Sequence, residues 1–344
     1  MVAAPFSPLG SLSAFESYDE TPHIGRFGTR FSNKSVQLSR LLTAPNSDEL
    51  IKDLATLVSH RGVVFFIDQD IDIEQQKELG ARLGELAGKP ATSKLHIHPI
   101  SEQTPELTAD VSVISSEGGI ARNGYSRSAR ASNGWHTDIT FEPIPSDYAI
   151  LKLHTLPAVG GDTLWASGYE AYDKLSPAYQ RFLEGLTALH DGSGFREGIK
   201  YAKETNKVIN SPRGSPQNTG TRLQAVHPVI RTHPVTGFKS LFVNRGFTTR
   251  ITELTDDESD DVLAYLFRHV SENHDMQVRF HWSKNDIAIW DNRCTFHTAT
   301  NDYESLRQGN RVVSLGEKPY FDPGSVSRRR ALGLDSPNTL STMK

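Results

Sequence analysis

The segment N-G-W-H-T-D-I-T-F, from Asn133 to Phe141, has the composition of a β-strand, with Trp, Ile, Thr and Phe among polar residues. In an extended chain, side chains two residues apart point to the same face of the sheet. We therefore expect His136 and Asp138 to lie side by side, with Thr137 on the opposite face. Such a pair could hold a metal ion or form only a surface hydrogen bond, and the pair alone leaves both interpretations open.

Seven further short segments after about residue 108 have the same strand-like pattern and are separated by Gly, Pro, Asn and Asp. They are D-V-S-V-I-S, D-Y-A-I-L-K-L-H, D-T-L-W-A-S, F-K-S-L-F-V-N, M-Q-V-R-F-H-W, D-I-A-I-W-D and R-V-V-S-L-G. Many short strands with turn residues between them favour a β-sandwich or barrel. The pattern predicts an α+β fold whose β part is a jelly roll.

Helices are predicted outside this β-rich part. S-D-E-L-I-K-D-L-A-T-L-V-S-H-R-G begins with a capping Ser47 or Asp48, repeats apolar residues at helical spacing and ends at Gly62. The strand V-V-F-F-I-D follows, and then a second amphipathic helix that ends near Gly88. Two further helical segments are predicted near residues 168–186 and in T-D-D-E-S-D-D-V-L-A-Y-L-F-R-H-V.

The domain organisation predicted from the sequence has three parts. Residues 1–45 are polar and proline-containing, so we expect an irregular N-terminal extension. Residues 46–321 contain no Pro/Gly/Ser-rich linker and are expected to form a single domain. Residues 322–344 include S-R-R-R and few apolar side chains, which indicates a flexible tail.

Composition excludes several classes of protein. The 344 residues include 37 basic and 41 acidic side chains, a net charge of −4, so no overall positive field is available to attract nucleic acid. No apolar run is long enough for a membrane span, and the N-terminus lacks the pattern of a secretory signal. The single cysteine, Cys294, excludes an internal disulfide and a multi-cysteine zinc site. We expect a cytoplasmic protein without a membrane or nucleic-acid partner; the sequence leaves open whether it forms a homo-oligomer.

A third candidate metal ligand follows much later in the chain. The segment W-D-N-R-C-T-F-H-T-A-T-N-D-Y contains His297, and Arg307 and Arg311 follow it by ten and fourteen residues. Two histidines and a carboxylate form the facial triad that suits Fe(II) and leaves coordination positions open. A 2-oxo acid could chelate such an ion, and its far carboxylate would need a planar two-donor partner, which arginine supplies better than lysine.

The ordered combination of these motifs resembles a known family. W-H-T-D-I-T-F, G-G-D-T-L-W-A-S, W-D-N-R-x-x-x-H-x-x-x-x-D-Y and R-V-x-x-L-G-x-K-P are similar to motifs of the taurine dioxygenase family of Fe(II)- and 2-oxoglutarate-dependent oxygenases, in its fungal type. The similarity covers roughly residues 50–321. It implies a double-stranded β-helix and an enzyme that uses Fe(II), 2-oxoglutarate and O2 to oxidise a C–H bond, releasing succinate and CO2.

The resemblance also implies roles for individual residues. His136, Asp138 and His297 correspond to the iron ligands. Thr163 and Arg307 correspond to the residues that hold the distal carboxylate of 2-oxoglutarate. Arg311 corresponds to a residue that reaches either the chelating carboxylate or an anionic group of the substrate.

The substrate implied by the resemblance is a small anion. His98 of L-H-I-H-P-I stands where sulfonate-binding members carry a substrate-contacting histidine, but Ser101 stands where they carry a tyrosine. Phe247 aligns with an aromatic residue that lines the substrate pocket, although a phenylalanine after a strand can also be simply buried. A sulfonate is therefore the first expectation, and an amino acid or another carboxylate, hydroxylated, desaturated or closed to a ring such as an aziridine, is the alternative.

Other interpretations stay open beside these. A non-catalytic jelly roll could use the same ligands to sense 2-oxoglutarate. His96 and His98 could form a second metal pair, but without a carboxylate or a third ligand nearby we interpret them as substrate-contacting or hydrogen-bonding residues. Cys294, three residues before His297, is interpreted as a packed residue rather than as a ligand.

Overall fold

The computed structural model describes residues 27–100, 107–117, 120, 130–195 and 211–334. Its strands are β1 (Thr29–Phe31), β2 (Val63–Phe66), β3 (Val111–Ser115), β4 (Ser146–Thr155), β5 (Thr163–Ser167), β6 (Thr187–Asp191), β7 (Gln224–Pro228), β8 (Ile230–Thr232), β9 (Lys239–Leu241), β10 (Thr248–Ile251), β11 (Gln277–Phe280), β12 (Ile287–Asp291), β13 (Thr295–Ala299) and β14 (Gln308–Leu315). Its α-helices are α1 (Leu38–Thr43), α2 (Ser47–Arg61), α3 (Ile73–Leu86), α4 (Gly168–Asp173), α5 (Pro177–Leu183), α6 (Asp256–Ser271) and α7 (Arg328–Ala331).

Two sheets form the centre of the molecule. The larger has the strand order β1-β2-β12-β4-β14-β3, and the smaller has the order β11-β5-β13. All pairs in both are antiparallel except β1 with β2. Strands that are distant in sequence lie side by side in both sheets, as the predicted double-stranded β-helix requires. Strands β10-β6-β7 and β8-β9 form two smaller sheets.

The large sheet is covered on both faces, which explains the continuous apolar run V-V-F-F in β2. Val64 and Phe66 pack in one core cluster with Leu54 of α2. Phe65 points the opposite way and lies 5.3 Å, ring centroid to ring centroid, from Trp165 of β5. Because neighbouring side chains alternate between faces, one four-residue strand contributes both to the helix layer and to the interior between the sheets.

The helices and β2 that the sequence predicts are confirmed, and one capping detail is wrong. Helix α2 begins at Ser47 with Asn46 before it, and no side chain caps its first turn. The Ser47 hydroxyl instead donates to the Leu42 carbonyl oxygen at 3.0 Å. At the other end, Gly62 has a φ of 78°, and a Cβ there would lie 2.5 Å from the Phe27 ring, so this end requires glycine.

Two predicted irregular segments contain regular structure where the structure describes them. Strand β1 and helix α1 lie before residue 46, and β1 extends the large sheet beside β2. Beyond residue 321, helix α7 packs by its buried Arg328 against Glu170 of α4. Short regular elements therefore occur in both parts, because tertiary contacts order segments of low intrinsic propensity, and the predicted division into an extension, a domain and a tail stays a prediction. Across the described residues, no helix combines the length and the apolar character that crossing a bilayer demands.

We expect the change Leu54→Ala to lower the free energy of unfolding by about 2–5 kcal/mol, because a fully buried leucine leaves a cavity when it is truncated. Urea denaturation followed by circular dichroism measures the loss. Lys52→Ala is the matched control, since Lys52 lies on the exposed face of the same helix. A similar loss in both variants would contradict the assignment of this helix face to the core.

Candidate active site

His136 and Asp138 lie at the start of a turn rather than on a strand. His136 pairs with His297 of β13 through two backbone hydrogen bonds of 3.0 and 2.8 Å, and the chain then turns over residues 138–141. Ile139 has a φ of 50°, which is unusual for a β-branched residue. The predicted strand at 135–141 is therefore wrong, although the expected proximity of the two side chains is observed.

Tertiary hydrogen bonds replace the strand ladder in this turn. The Asp138 backbone N–H donates to Asn292 Oδ1 at 3.1 Å, and the Thr137 hydroxyl donates to the Thr295 carbonyl oxygen at 2.9 Å. The Glu142 N–H closes the turn on the Ile139 carbonyl oxygen. Because these partners come from distant parts of the chain, the local sequence could not reveal the turn.

Three potential metal ligands converge at this turn. Asp138 Oδ1 lies 3.9 Å from His136 Nε2 and 3.8 Å from His297 Nε2. The two imidazole centroids are 4.2 Å apart. Candidate ligand atoms of these three residues all lie within 4.8 Å of one another. This spacing suits a single ion bound between them.

The protonation states fit metal binding. His136 Nδ1 lies 2.7 Å from the Gly134 carbonyl oxygen and can only donate to it, which leaves the Nε2 lone pair for a metal. Burial, reinforced by the neighbouring His136, lowers the pKa of His297 to about 3, so its imidazole is neutral. Burial alone would raise the pKa of Asp138, but the Arg311 guanidinium lowers it to about 2 and keeps the carboxylate ionised.

The carboxylate of Asp138 has one engaged and one free oxygen. Arg311 Nη1 donates to Oδ1 at 2.5 Å. Oδ2 is buried and has no hydrogen-bond partner among the described residues. Two neutral imidazoles and a carboxylate with an orphaned oxygen fit Fe(II) or a similar divalent ion, and they can leave coordination positions open.

Arg307 and Thr163 are in direct contact, and Thr163 pairs with Ala299, two residues after His297 on β13. Arg307 Nη2 donates to Thr163 Oγ1 at 3.1 Å, and Nε donates to the Gly161 carbonyl oxygen at 2.8 Å. Trp282 Nε1 also donates to Thr163 Oγ1 at 3.0 Å. Arg307 is buried and forms no ion pair with any described residue, so its guanidinium can receive an external carboxylate.

An aromatic wall connects His98 with the triad. The Phe141 ring lies 6.2 Å from His98 and 5.1 Å from Phe247, and Phe247 lies 6.0 Å from His136, all between ring centroids. Phe195 contacts His98 at 4.9 Å. Burial holds the pKa of His98 well below its ordinary value, so this imidazole is neutral. Ser101, the other predicted substrate contact, lies outside the described residues.

Comparison with known proteins assigns the family. Residues 20–314 match the family described as "Taurine catabolism dioxygenase TauD, TfdA family". The chain belongs to this family. It is therefore a 2-oxoglutarate-dependent dioxygenase, as the sequence predicts, and the interpretation as a non-catalytic sensor is not retained.

Individual relatives cover most of this TauD-family chain. The "Alpha-ketoglutarate-dependent dioxygenase btcD" of Neocamarosporium betae is 44% identical, with 96% of this chain and 99% of the relative covered. The "Alpha-ketoglutarate-dependent sulfonate dioxygenase" of Saccharomyces cerevisiae is 34% identical, with 92% and 77% covered. A solved taurine dioxygenase structure from Burkholderia xenovorans has a TM-score of 0.67 at 27% identity, with 90% and 92% covered. The predicted double-stranded β-helix is thereby confirmed.

The structure adds several residues to this TauD-family site that the sequence motifs do not predict. Phe141 stands in the same segment as Asp138 and could have been found as the next aromatic after it. Phe195 belongs to G-S-G-F-R-E-G, which has no chemical signature beyond its glycines. Asn292 lies in the W-D-N-R motif, but only the folded chain shows its hydrogen bond to Asp138.

His96 has a carboxylate partner that lies 46 residues away in the sequence, so the sequence alone does not reveal it. Its Nε2 lies 3.2 Å from Glu142 Oε1, and Arg213 donates to both Glu142 oxygens at 2.6 and 2.8 Å. The predicted hydrogen-bonding role is therefore observed for His96. Since Arg213 occupies the carboxylate, this buried triplet is an ion-pair network behind the aromatic wall and not a second metal site.

The second group of potential metal ligands is His233, Asp291 and Cys294, and its carboxylate already accepts several hydrogen bonds within the protein. Asp291 accepts hydrogen bonds from Arg293, Ser59 and His233, at 2.7–2.9 Å, and Cys294 lies beside them. Burial holds the pKa of the Cys294 thiol well above its ordinary value, so it stays protonated. Cys294 packs in a small buried cluster, which confirms its interpretation as a packed residue.

We expect the change Arg213→Met to lower the free energy of unfolding by about 3–5 kcal/mol near pH 7, because it leaves the Glu142 charge buried without its partner. Burial would raise the pKa of Glu142, but hydrogen bonds from Arg213 and His96 lower it. The stabilisation is thus full above the ordinary glutamate pKa of 4.5 and is lost as pH falls through the depressed value.

The loss should therefore be smaller near pH 4, where Glu142 of the variant becomes protonated. Urea denaturation of metal-free protein at the two pH values measures it. Arg222→Met, which removes an exposed arginine, is the matched control. An equal loss at both pH values would contradict the buried ion pair.

Proposed function

We propose that this dioxygenase binds Fe(II) through His136, Asp138 and His297 and oxidises a C–H bond of a small anionic substrate. The convergence of these three side chains from distant parts of the chain carries the proposal. Bound Fe(II) would supply the redox chemistry that couples O2 reduction to 2-oxoglutarate decarboxylation and substrate oxidation. The protein's part is to hold both organic molecules and to keep water out.

The distal carboxylate of 2-oxoglutarate would bind Arg307 and Thr163. Support comes from a buried guanidinium without an ion pair among the described residues, next to a hydroxyl 3.1 Å away. Arg311 contacts Asp138 and is available to the chelating carboxylate or to the substrate's anionic group. Neutral His98 can donate a hydrogen bond to that anion, and Phe247 and its aromatic neighbours shield the reacting carbon from water.

A sulfonate is our first choice of substrate. Hydroxylation of the carbon bonded to sulfur would give an adduct that breaks down to sulfite and an aldehyde. The sulfonate dioxygenase of Saccharomyces cerevisiae supports this choice, and Arg311 with His98 offers the polar contacts that an anion needs. Amino acids or other carboxylates are the second choice, because Ser101 stands where sulfonate-binding members are expected to have a tyrosine.

Asp138→Ala should abolish metal binding and lower iron-dependent succinate release by at least about a thousandfold, because the ion loses its only anionic protein ligand. Mn(II) binding, followed by electron paramagnetic resonance, tests the site independently of turnover. Asp275→Ala removes an exposed carboxylate and should behave as the wild type. Undiminished Mn(II) binding by the Asp138 variant would show that the triad is misassigned.

A substrate screen should distinguish the two substrate classes. We expect an alkylsulfonate to stimulate succinate release with an equal amount of sulfite, measured in parallel on the Fe(II)-loaded enzyme. Matched carboxylates and amino acids of the same chain length serve as controls. Succinate release that only amino acids or carboxylates stimulate, without sulfite, would reject the sulfonate and favour the second choice.

A further inference from the structure

Gly161 is held through both of its peptide groups. Its N–H donates to Asp302 Oδ1 at 2.9 Å, and its carbonyl oxygen accepts from Arg307 Nε at 2.8 Å. Asp302 and Arg307 belong to the same connection between β13 and β14, whereas Gly161 precedes β5. The backbone of one residue thus joins a surface carboxylate to the buried guanidinium.

The backbone conformation at this point requires glycine. Gly160 and Gly161 have φ values of 79° and 76°, in the left-handed region that side chains disfavour. A Cβ on Gly161 would lie 2.9 Å from Arg307 Cδ, and one on Gly160 would lie 2.3 Å from the Asp302 carbonyl oxygen. The turn therefore packs directly against Arg307 on one side and against Asp302 on the other.

Arg307 depends on this turn for its orientation. Among the residues that the structure describes, no carboxylate forms an ion pair with it, and its guanidinium donates hydrogen bonds to the Gly161 carbonyl oxygen and Thr163 Oγ1. Burial lowers the pKa of Arg307, which reflects the cost of placing a charge there, although the nearby Tyr303 and Asp162 act in the opposite direction. A displaced Gly161 carbonyl would release the guanidinium from one of its two fixed contacts.

We propose that Asp302 is a positioning residue for 2-oxoglutarate. It fixes the Gly160–Gly161 turn, so that the Gly161 carbonyl aims the Arg307 guanidinium toward Thr163 and the distal carboxylate. This inference rests on the proposed function, in which Arg307 and Thr163 bind that carboxylate. Asp302 itself touches neither the co-substrate nor the metal ligands.

A simple surface ion pair is the competing explanation for Asp302. Its Oδ2 lies 3.6 Å from Arg279 Nη2, and both side chains are about half exposed. Exposed ion pairs of this kind contribute little to the free energy of unfolding. Oδ1 has a different environment, because it accepts from the Gly161 N–H and, at 2.6 Å, from the Thr300 hydroxyl. The two carboxylate oxygens therefore allow the two roles to be separated by substitution.

The test measures binding of two 2-oxo acids by isothermal titration calorimetry to the anaerobic Fe(II)-loaded enzyme. One is 2-oxoglutarate, and the other is 2-oxopentanoate, which has the same carbon chain without the distal carboxylate. Asp302→Ala should raise the Kd for 2-oxoglutarate about five- to tenfold, the range expected for one lost hydrogen bond. The Kd for 2-oxopentanoate should change less than about twofold, because this acid has no distal carboxylate to contact the Arg307 guanidinium.

Two matched variants isolate the turn contact. Asp302→Asn keeps an oxygen that can accept from Gly161 and should retain the wild-type preference for 2-oxoglutarate. Arg279→Gln removes only the surface ion pair and should also retain it. Gly161→Ala places a methyl group directly against Arg307 and should also raise the Kd for 2-oxoglutarate selectively, which tests whether the turn controls the guanidinium. Asp302→Val also removes the acceptor for the Gly161 N–H and provides a second test of Asp302 if Asp302→Ala does not fold.

The outcomes separate the inference from the proposed function. Arg307→Met should remove the preference for 2-oxoglutarate over 2-oxopentanoate. If Arg307→Met keeps that preference, the carboxylate site of the proposed function is wrong. If Arg307→Met loses it while Asp302→Ala, or Asp302→Val in its place, keeps wild-type affinity, only the role of Asp302 is overturned. Equal weakening of both acids by Asp302→Ala would also overturn it, since a general structural effect does not distinguish them.

Discussion

The two backbone hydrogen bonds between His136 and His297 are the contact on which the active site depends. They join a turn to β13, two segments that the chain separates widely. Strand β13 is held in turn by β5, where His297 pairs with Trp165. Because main-chain pairing sets the positions of both imidazoles, the fold itself places the candidate ligands, and binding an ion would cost little conformational freedom.

Two buried arginines near this pairing differ in their electrostatic surroundings. Arg311 on β14 forms an ion pair with Asp138, which offsets the cost of burying both charges. Arg307 has no such partner among the described residues and is held by neutral oxygens. A buried cation that neutral groups orient is suited to an anion from outside, so the difference in surroundings supports different roles for two residues that lie close in sequence.

The sequence predicts the family and the residues of the metal site better than it predicts the backbone conformation around those residues. Motif order identifies His136, Asp138 and His297 together, because the chemistry constrains residue type and spacing. The strand predicted around Asp138 is wrong because Asn292 and Thr295, distant in sequence, supply its hydrogen-bond partners. The partnership of His96 with Glu142 and Arg213 is hidden for the same reason, since a pattern of residue types does not report which distant side chains meet.

The two halves of the site are built on different kinds of structure. Three of the groups proposed to hold the metal and 2-oxoglutarate lie on paired strands: Thr163 begins β5, His297 lies in β13 and Arg311 lies in β14. The aromatic wall is formed by segments between strands, including His98, Phe195 and Phe247. Strands hold side chains in a fixed register, whereas connecting segments tolerate substitution. In this chain, substitutions in the connecting segments that form the wall would change its shape without moving the paired strands that carry Thr163, His297 and Arg311.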